Sequence, residues 1–222
     1  MNNLKLLIKF PTRSRPDKFF KVLDLYYHLL VTNNYEFVIS CDADDITMNN
    51  DIVKQKLSTY TNLSVYFNDN KSKIEAINND LQNREFDILL LASDDMIPEV
   101  YGYDAIIKAL MQQQFKNLDG VLWFNDGFQS TNLNTLVIIG KKYYDRFNYV
   151  YNPSYKSLYC DLEFTEVSKI LDKFVYIDKC IIRHQQYSII NEKPDELYIK
   201  NDSLQHEDYE VFCKRAQQKY YL

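Results

Sequence analysis

The chain has 222 residues, 46% of them hydrophobic, enough for one domain of ordinary size with a real core. Charged residues make up 26%, and only four Gly and five Pro are present, which excludes a collagenous, low-complexity or disordered chain. The net charge of −5 argues against coating nucleic acid or an anionic membrane through bulk electrostatics, although a local basic patch can still hold phosphate. No apolar run approaches the roughly 20 residues of a membrane span, and the polar Met1-Asn2-Asn3 is no secretory signal, so a cytoplasmic protein is expected. Cys41, Cys160, Cys180 and Cys213 lie far apart without C-x-x-C spacing, which favours reduced thiols over zinc or disulfides. The 19 Tyr accompany many Asn, Ile and Lys, the signature of an AT-rich coding bias, and carry no functional weight.

In chain order, Leu4 to Phe10 is a short apolar run stopped by Pro11 and predicts a strand. From Pro16 the period changes. Phe19, Val22, Leu23, Tyr26, Tyr27 and Leu30 share one helical face, with Pro16 in the first turn. Glu36–Cys41 predicts a second strand leading into the acidic loop Asp42-Ala43-Asp44-Asp45. A helix over 51–58, a strand over 63–67 and a helix over 72–82 follow, then the strongly apolar strand 87–92 and a helix over 103–115. Strands are predicted at 121–124 and 136–139, a helix at 161–171, short strands at 174–177 and 181–183, and a helical stretch at 203–219.

Strands alternating with helices of this length imply crossover connections, hence an α/β domain with a mostly parallel central sheet covered by helices on both faces. Residues 1–190 would form that domain and 191–222 a helical tail packing on or capping it. Ligands in such folds bind beyond the carboxyl ends of the strands. That rule selects Pro11-Thr12-Arg13-Ser14-Arg15, the acidic loop after Cys41, and Ser93-Asp94-Asp95. Guanidinium groups and carboxylates meeting at one rim suit a phosphorylated ligand carrying a hard divalent cation such as Mn²⁺ or Mg²⁺. Asp94 and Asp95 also suit a helix cap, but their place after the most hydrophobic strand favours the metal. Trp123 and Asp126, at the end of Val121–Phe124, offer a stacking ring and a hydroxyl acceptor, and Trp123 serves equally well as core filler.

The runs LLIKFPTRSRP, SCDADD, NKSKIEAINNDL, FDILLLASDDM and YCDLEFTEV occur in the order and approximate spacing of GT-A-fold glycosyltransferases, and the chain resembles the large inverting family two in particular. The resemblance spans Leu4 to Gln185. It implies a metal-dependent transferase that moves a sugar from a nucleotide-diphosphate donor, UDP-sugar favoured, to an acceptor hydroxyl on a glycan, a small molecule or a modified nucleobase. By that resemblance Pro11, Thr12, Arg13 and Arg15 line the nucleotide site with Asp94, Asp42 or Asp44 contacts base or ribose, and Lys73 with Asn78 closes the pocket. Ser93-Asp94-Asp95 resembles the D-x-D motif, with Asp95 as the direct metal ligand and His184 as a late histidine reaching metal or diphosphate. Asp161 is the candidate base, with Glu163 beside it; both acids also suit the start of a helix. Ser93, Cys160 and Ile77 depart from the family's Asp, Glu and Arg at those places. A sugar nucleotidyltransferase is disfavoured because the loop after the first strand has no Gly; a non-catalytic nucleotide-sugar-binding module and a DNA-base glycosyltransferase stay as alternatives.

Overall fold

The computed structural model describes residues 4–185 and 196–222. Its strands are β1 (Leu6–Thr12), β2 (Tyr35–Asp42), β3 (Leu63–Asn68), β4 (Ile88–Leu91), β5 (Met96–Pro98), β6 (Val121–Phe124), β7 (Ile138–Gly140), β8 (Phe174–Ile177) and β9 (Ile182–His184). The helices are α1 (Pro16–Leu29), α2 (Asp51–Leu57), α3 (Lys73–Asn78), α4 (Tyr103–Gln114), α5 (Lys141–Asp145), α6 (Cys160–Ile170), α7 (Glu196–Asp202) and α8 (Gln205–Gln217). Seven strands form one sheet in the order β3-β2-β1-β4-β7-β6-β8, and β5 pairs with β9 in a separate antiparallel ribbon. Only β7 runs against its neighbours, so β1 to β4, β6 and β8 all end at the same edge. The expected mostly parallel sheet with helices on both faces is what forms.

Alternation along β1 and β4 builds the two layers. Leu6, Ile8, Phe10, Ile88 and Leu90 point to the core under α1 and α4, which supply Phe19, Leu23, Tyr26, Ile107 and Met111. Leu7, Leu89 and Leu91 point the other way, against Ile74 and Ile77 of α3 and Phe164 of α6. Lys9 falls on this second face and is fully buried. Its ammonium donates to the Asn79 carbonyl at 2.7 Å and to the Ser40 hydroxyl. Burial pulls its pKa down to about 7, against the raising influence of Asp80.

Several elements depart from expectation. β1 continues through Pro11 because Lys9↔Leu91 is its last pair with β4, so the missing N–H falls past the end of that neighbour. The helix predicted over 72–82 ends at Asn78: Asn79 is extended and Asp80 adopts φ +66°. The Asn78 side chain meanwhile turns away to bind the backbone of Val150 and Tyr151. β5 and α5, each five residues or fewer, carry too little periodicity to be predicted.

The expected boundary at 190 lies outside the described residues. Beyond them, α8 is fastened to the body by Asp208, whose buried carboxylate accepts from the backbone N–H groups of Lys156, Ser157 and Leu158 at 2.7–2.9 Å. Arg215 on the same helix forms two hydrogen bonds to Glu163 of α6. Asp208→Ala leaves three N–H groups without their acceptor and is expected to lower unfolding free energy by about 3 kcal/mol, checked by urea denaturation.

Candidate functional site

A cleft of about 220 Å³ opens at the carboxyl edge of the sheet. Parallel register brings its parts together. Thr12 lies beside Cys41, and Asp42 beside Asn68, so the loops leaving β1, β2 and β3 share one rim. Pro11 and Thr12 line it, the Thr12 hydroxyl buried and with no hydrogen-bond partner among the described residues. Arg13 spans the acidic loop, with Nη1 at 2.7 Å from Asp42 and 2.5 Å from Asp44 and Nη2 at 3.1 Å from Asp44. Hydrogen bonds that the guanidinium donates to Asp44 and then Asp42 raise its pKa, so it is permanently charged. Asp42 also accepts from Asn70, and Asp45 holds the loop by accepting from the Ser14 N–H. The acidic loop is thus a scaffold for Arg13.

Arg15 forms the second basic contact, 3.1 Å from Asp94. Burial and the neighbouring Asp95 charge raise the Asp94 pKa, while Arg15 and Lys18 oppose them. Lys73 starts α3 on the opposite wall, where Ser72 caps the helix by accepting from the Glu75 N–H. Among the described residues no ion pair engages Lys73, yet its charge acts on both Asp95 and Asp161.

Asp95 follows β4 and faces His184, carried in by the β5–β9 pairing Met96↔His184. His184 Nε2 lies 3.7 Å from Asp95 Oδ2, and Nδ1 lies 3.6 Å from Asp126 Oδ2. Burial raises the Asp95 pKa, but bonds from His184 and Ser93 outweigh it and hold the carboxyl well below the usual range. Burial alone would lower His184; Asp126 and Asp95 instead raise it to about 9. His184 therefore contributes stability that is fully present below pH 6.5 and lost as pH rises through 9. Lys9 acts in the opposite direction, since stability rises with pH between its folded value near 7 and its ordinary 10.5. Comparing wild type with His184→Gln isolates the histidine: the variant is expected to be less stable by about 3 kcal/mol at pH 6, the gap closing by pH 10, as read by urea unfolding.

Asp161 occupies the first turn of α6 and accepts from the Leu162 N–H at 2.9 Å. Burial raises its pKa above the ordinary carboxylate range, and the charges of Lys73 and His184 pull it back. The carboxyl is half-buried within the field of the same two cations that act on Asp95.

No protein-family model matches this sequence, and no curated protein does. Solved structures do match. The mannosyltransferase PcManGT from Pyrobaculum calidifontis, in complex with GDP-Man and Mn²⁺, superposes with a TM-score of 0.69 over 89% of this chain at 11% identity. TarS 1-349 from S. aureus, in complex with UDP-GlcNAc, gives 0.65 over 89% at 14% identity. The fold is GT-A. The chain spans 59% and 61% of those two chains, so the likeness speaks for the domain alone.

Within this GT-A domain the candidate residues separate by position. Pro11, Thr12, Arg13, Arg15, Asp42, Asp44, Lys73, Asp94 and Asp95 all line the cleft. Asn78 does not; its amide is consumed by the 150–151 backbone, so it braces α3 instead of closing the pocket. Glu163 is likewise elsewhere. Two residues beyond Asp161 on a helix, it points to a different side and is held by Arg215 and by the Tyr155 hydroxyl at 2.7 Å. Trp123 is 2% exposed, its indole donating to the Ser130 carbonyl beneath Phe174 and Tyr176, which makes it core filler. Asp126 is buried too and organises a loop. Its Oδ1 accepts from the N–H groups of Phe128, Gln129 and Ser130. The cleft also uses residues outside the expected set: Asn70, Lys71 and Ser72 before α3, and Leu197, Asn201 and Leu204 from α7 and its end. The last three were beyond reach because nothing in their sequence says where a tail helix docks.

Among the described residues no three His, Cys, Asp or Glu side chains cluster as a complete metal cage. Asp95 and His184 nevertheless fit a cation held partly by its substrate. An ionised carboxylate and, once it has given up a proton to the entering cation, the imidazole facing it across 3.7 Å would offer the O and N donors that Mn²⁺ accepts, leaving further positions to phosphate and water.

Proposed function

We propose that this domain is an inverting glycosyltransferase that takes a sugar from a nucleotide-diphosphate donor, UDP-sugar favoured, and passes it to an acceptor hydroxyl with Mn²⁺ or Mg²⁺. One observation carries the reading: Arg13, Arg15 and Lys73 line the same cleft as Asp94 and Asp95 at the carboxyl edge of the sheet, with His184 Nε2 3.7 Å from Asp95. Supporting it are the GT-A neighbours, whose complexes hold GDP-Man with Mn²⁺ and UDP-GlcNAc.

In this reading Arg13, fixed by the acidic loop, and the cleft-lining Asn70 and Thr12 orient the nucleoside. Arg15 and Lys73 hold the diphosphate, and binding costs are reduced because Asp94 and the α3 cap already position them. Asp95 and His184 would hold the cation, which when bound would supply positive charge to neutralise that developing on the diphosphate. The acceptor oxygen forms its bond to the anomeric carbon as the bond to the diphosphate oxygen breaks, and the acceptor proton passes to Asp161. Burial raises the Asp161 pKa, which makes its carboxylate a stronger proton acceptor than an exposed one. The tail from α7 onward is proposed to cap the domain, since Leu197, Asn201 and Leu204 present one wall of the cleft.

Calorimetry with UDP, with and without Mn²⁺, followed by turnover of UDP-, GDP-, CDP- and TDP-sugars tests the reading. Metal-dependent binding with sugar release supports it. Binding without any release would instead make the domain a nucleotide-sugar-binding module. Among the described residues no helix is long and apolar enough to cross a membrane.

A further inference from the structure

The aromatic group expected to meet the acceptor was Trp123, which the fold buries. Five residues later the chain exposes another. Phe128 is 38% accessible, and its ring stands edge-on to His184, centroids 5.7 Å apart and planes at 82°. His184 in turn faces Asp95, so Phe128 stands next to the candidate metal position through His184, and it is not among the residues lining the cleft.

Its placement is built with unusual investment for an exposed phenyl group. Asp126, 1% exposed, accepts from the Phe128, Gln129 and Ser130 N–H groups through Oδ1, while its carbonyl accepts from the His184 N–H at 2.8 Å. Gly127, at φ +75°, makes the turn that presents Phe128, and its N–H is held by Asn125. On the same loop the Gly127 backbone is packed against Arg183, whose guanidinium makes two hydrogen bonds to Glu99, at 2.7 and 3.0 Å, with both side chains well exposed. A fixed, accessible ring beside an exposed carboxylate and guanidinium has the chemistry that recognises a pyranose, whose C–H face is apolar and whose rim is hydroxyl. An apolar protein partner would leave the Arg183–Glu99 pair to be desolvated, which disfavours it.

We propose that Phe128 is the platform on which a pyranose acceptor rests, with Arg183 and Glu99 beside it to meet the sugar hydroxyls. The assignment rests on the glycosyltransferase reading and specifies its acceptor class as a glycan. It makes Phe128 a positioning and specificity residue: it holds the acceptor ring next to the Asp95–His184 end of the cleft and takes no part in proton transfer.

The test uses the full chain saturated with UDP and diamagnetic Mg²⁺, with methyl β-glucopyranoside, methyl β-galactopyranoside and methyl 2-acetamido-2-deoxy-β-glucopyranoside as probes, titrated by saturation-transfer NMR. At least one pyranoside is expected to bind wild type through its ring protons. Phe128→Ala should weaken that pyranoside about tenfold and Phe128→Tyr less than about twofold, with UDP affinity within about twofold in both. Equal pyranoside binding by Phe128→Ala, or none by wild type that binds UDP normally, overturns the platform and leaves the donor reading standing. A wild type that binds no UDP overturns the donor reading and the platform with it.

Discussion

Asp161→Asn is expected to lower sugar transfer by about 10²- to 10⁴-fold while leaving UDP-sugar affinity within about twofold. The substitution keeps size and the capacity to accept from the Leu162 N–H, so the start of α6 should survive. What disappears is an ionisable oxygen in the field of Lys73 and His184. Loss confined to kcat is the mark of a group needed only as the acceptor proton departs. A pH profile gives a second readout. The base works ionised and burial raises its pKa, so wild-type activity should fall as pH drops, beginning above the ordinary carboxylate range. Full activity in Asp161→Asn with intact donor binding would remove Asp161 from the chemistry.

Asp95→Asn is expected to weaken UDP binding in Mn²⁺ by about 100-fold or more and to leave metal-free binding nearly unchanged. The asymmetry follows from the proposed roles: Asp95 lines the cleft as an ionised carboxylate, so without a cation between them it would contribute nothing attractive to an anionic ligand. Arg13, Arg15 and Lys73 remain in place in the variant and supply the residual affinity. Calorimetry of wild type and variant with and without Mn²⁺ closes a double-mutant-style cycle on the metal. Equal metal enhancement in both proteins would show that Asp95 does not hold it.

Much of the fold was legible because strong hydrophobic periods dictate it. The apolar runs of β1, β2 and β4 have few ways to be satisfied except as buried strands, and the Phe19–Leu23–Tyr26 stripe of α1 must cover them. The rule that ligands gather beyond parallel strand ends then placed Arg13, Arg15, Asp42, Asp94 and Asp95 around one cleft. Shorter elements escaped. The three-residue β5 exists because β9 comes to pair with it, and that pairing, invisible in sequence, delivers His184 to Asp95.

The individual side chains of the second half were harder to read, for a reason visible in Glu163 and Trp123. An acid in a first helical turn and an aromatic at a strand end are equally good statements about a site or about a core. Glu163 became half of a buried pair with Arg215, 52 residues away, and Trp123 found its acceptor on Ser130. Phe128 passed unnoticed because exposure is a property of everything that fails to cover a ring.

Sequence by itself determined the alternation of strands and helices, the sheet's burial on both faces, and the edge where charged loops gather, because these follow from local period and from the backbone's need for partners. Only tertiary structure decided which acids share a field: Asp161 with Lys73 and His184, Glu163 with Arg215, Asp208 with the turn before α6. Electrostatic partnership depends on distances of a few ångströms between segments tens of residues apart, and no period in the chain encodes those.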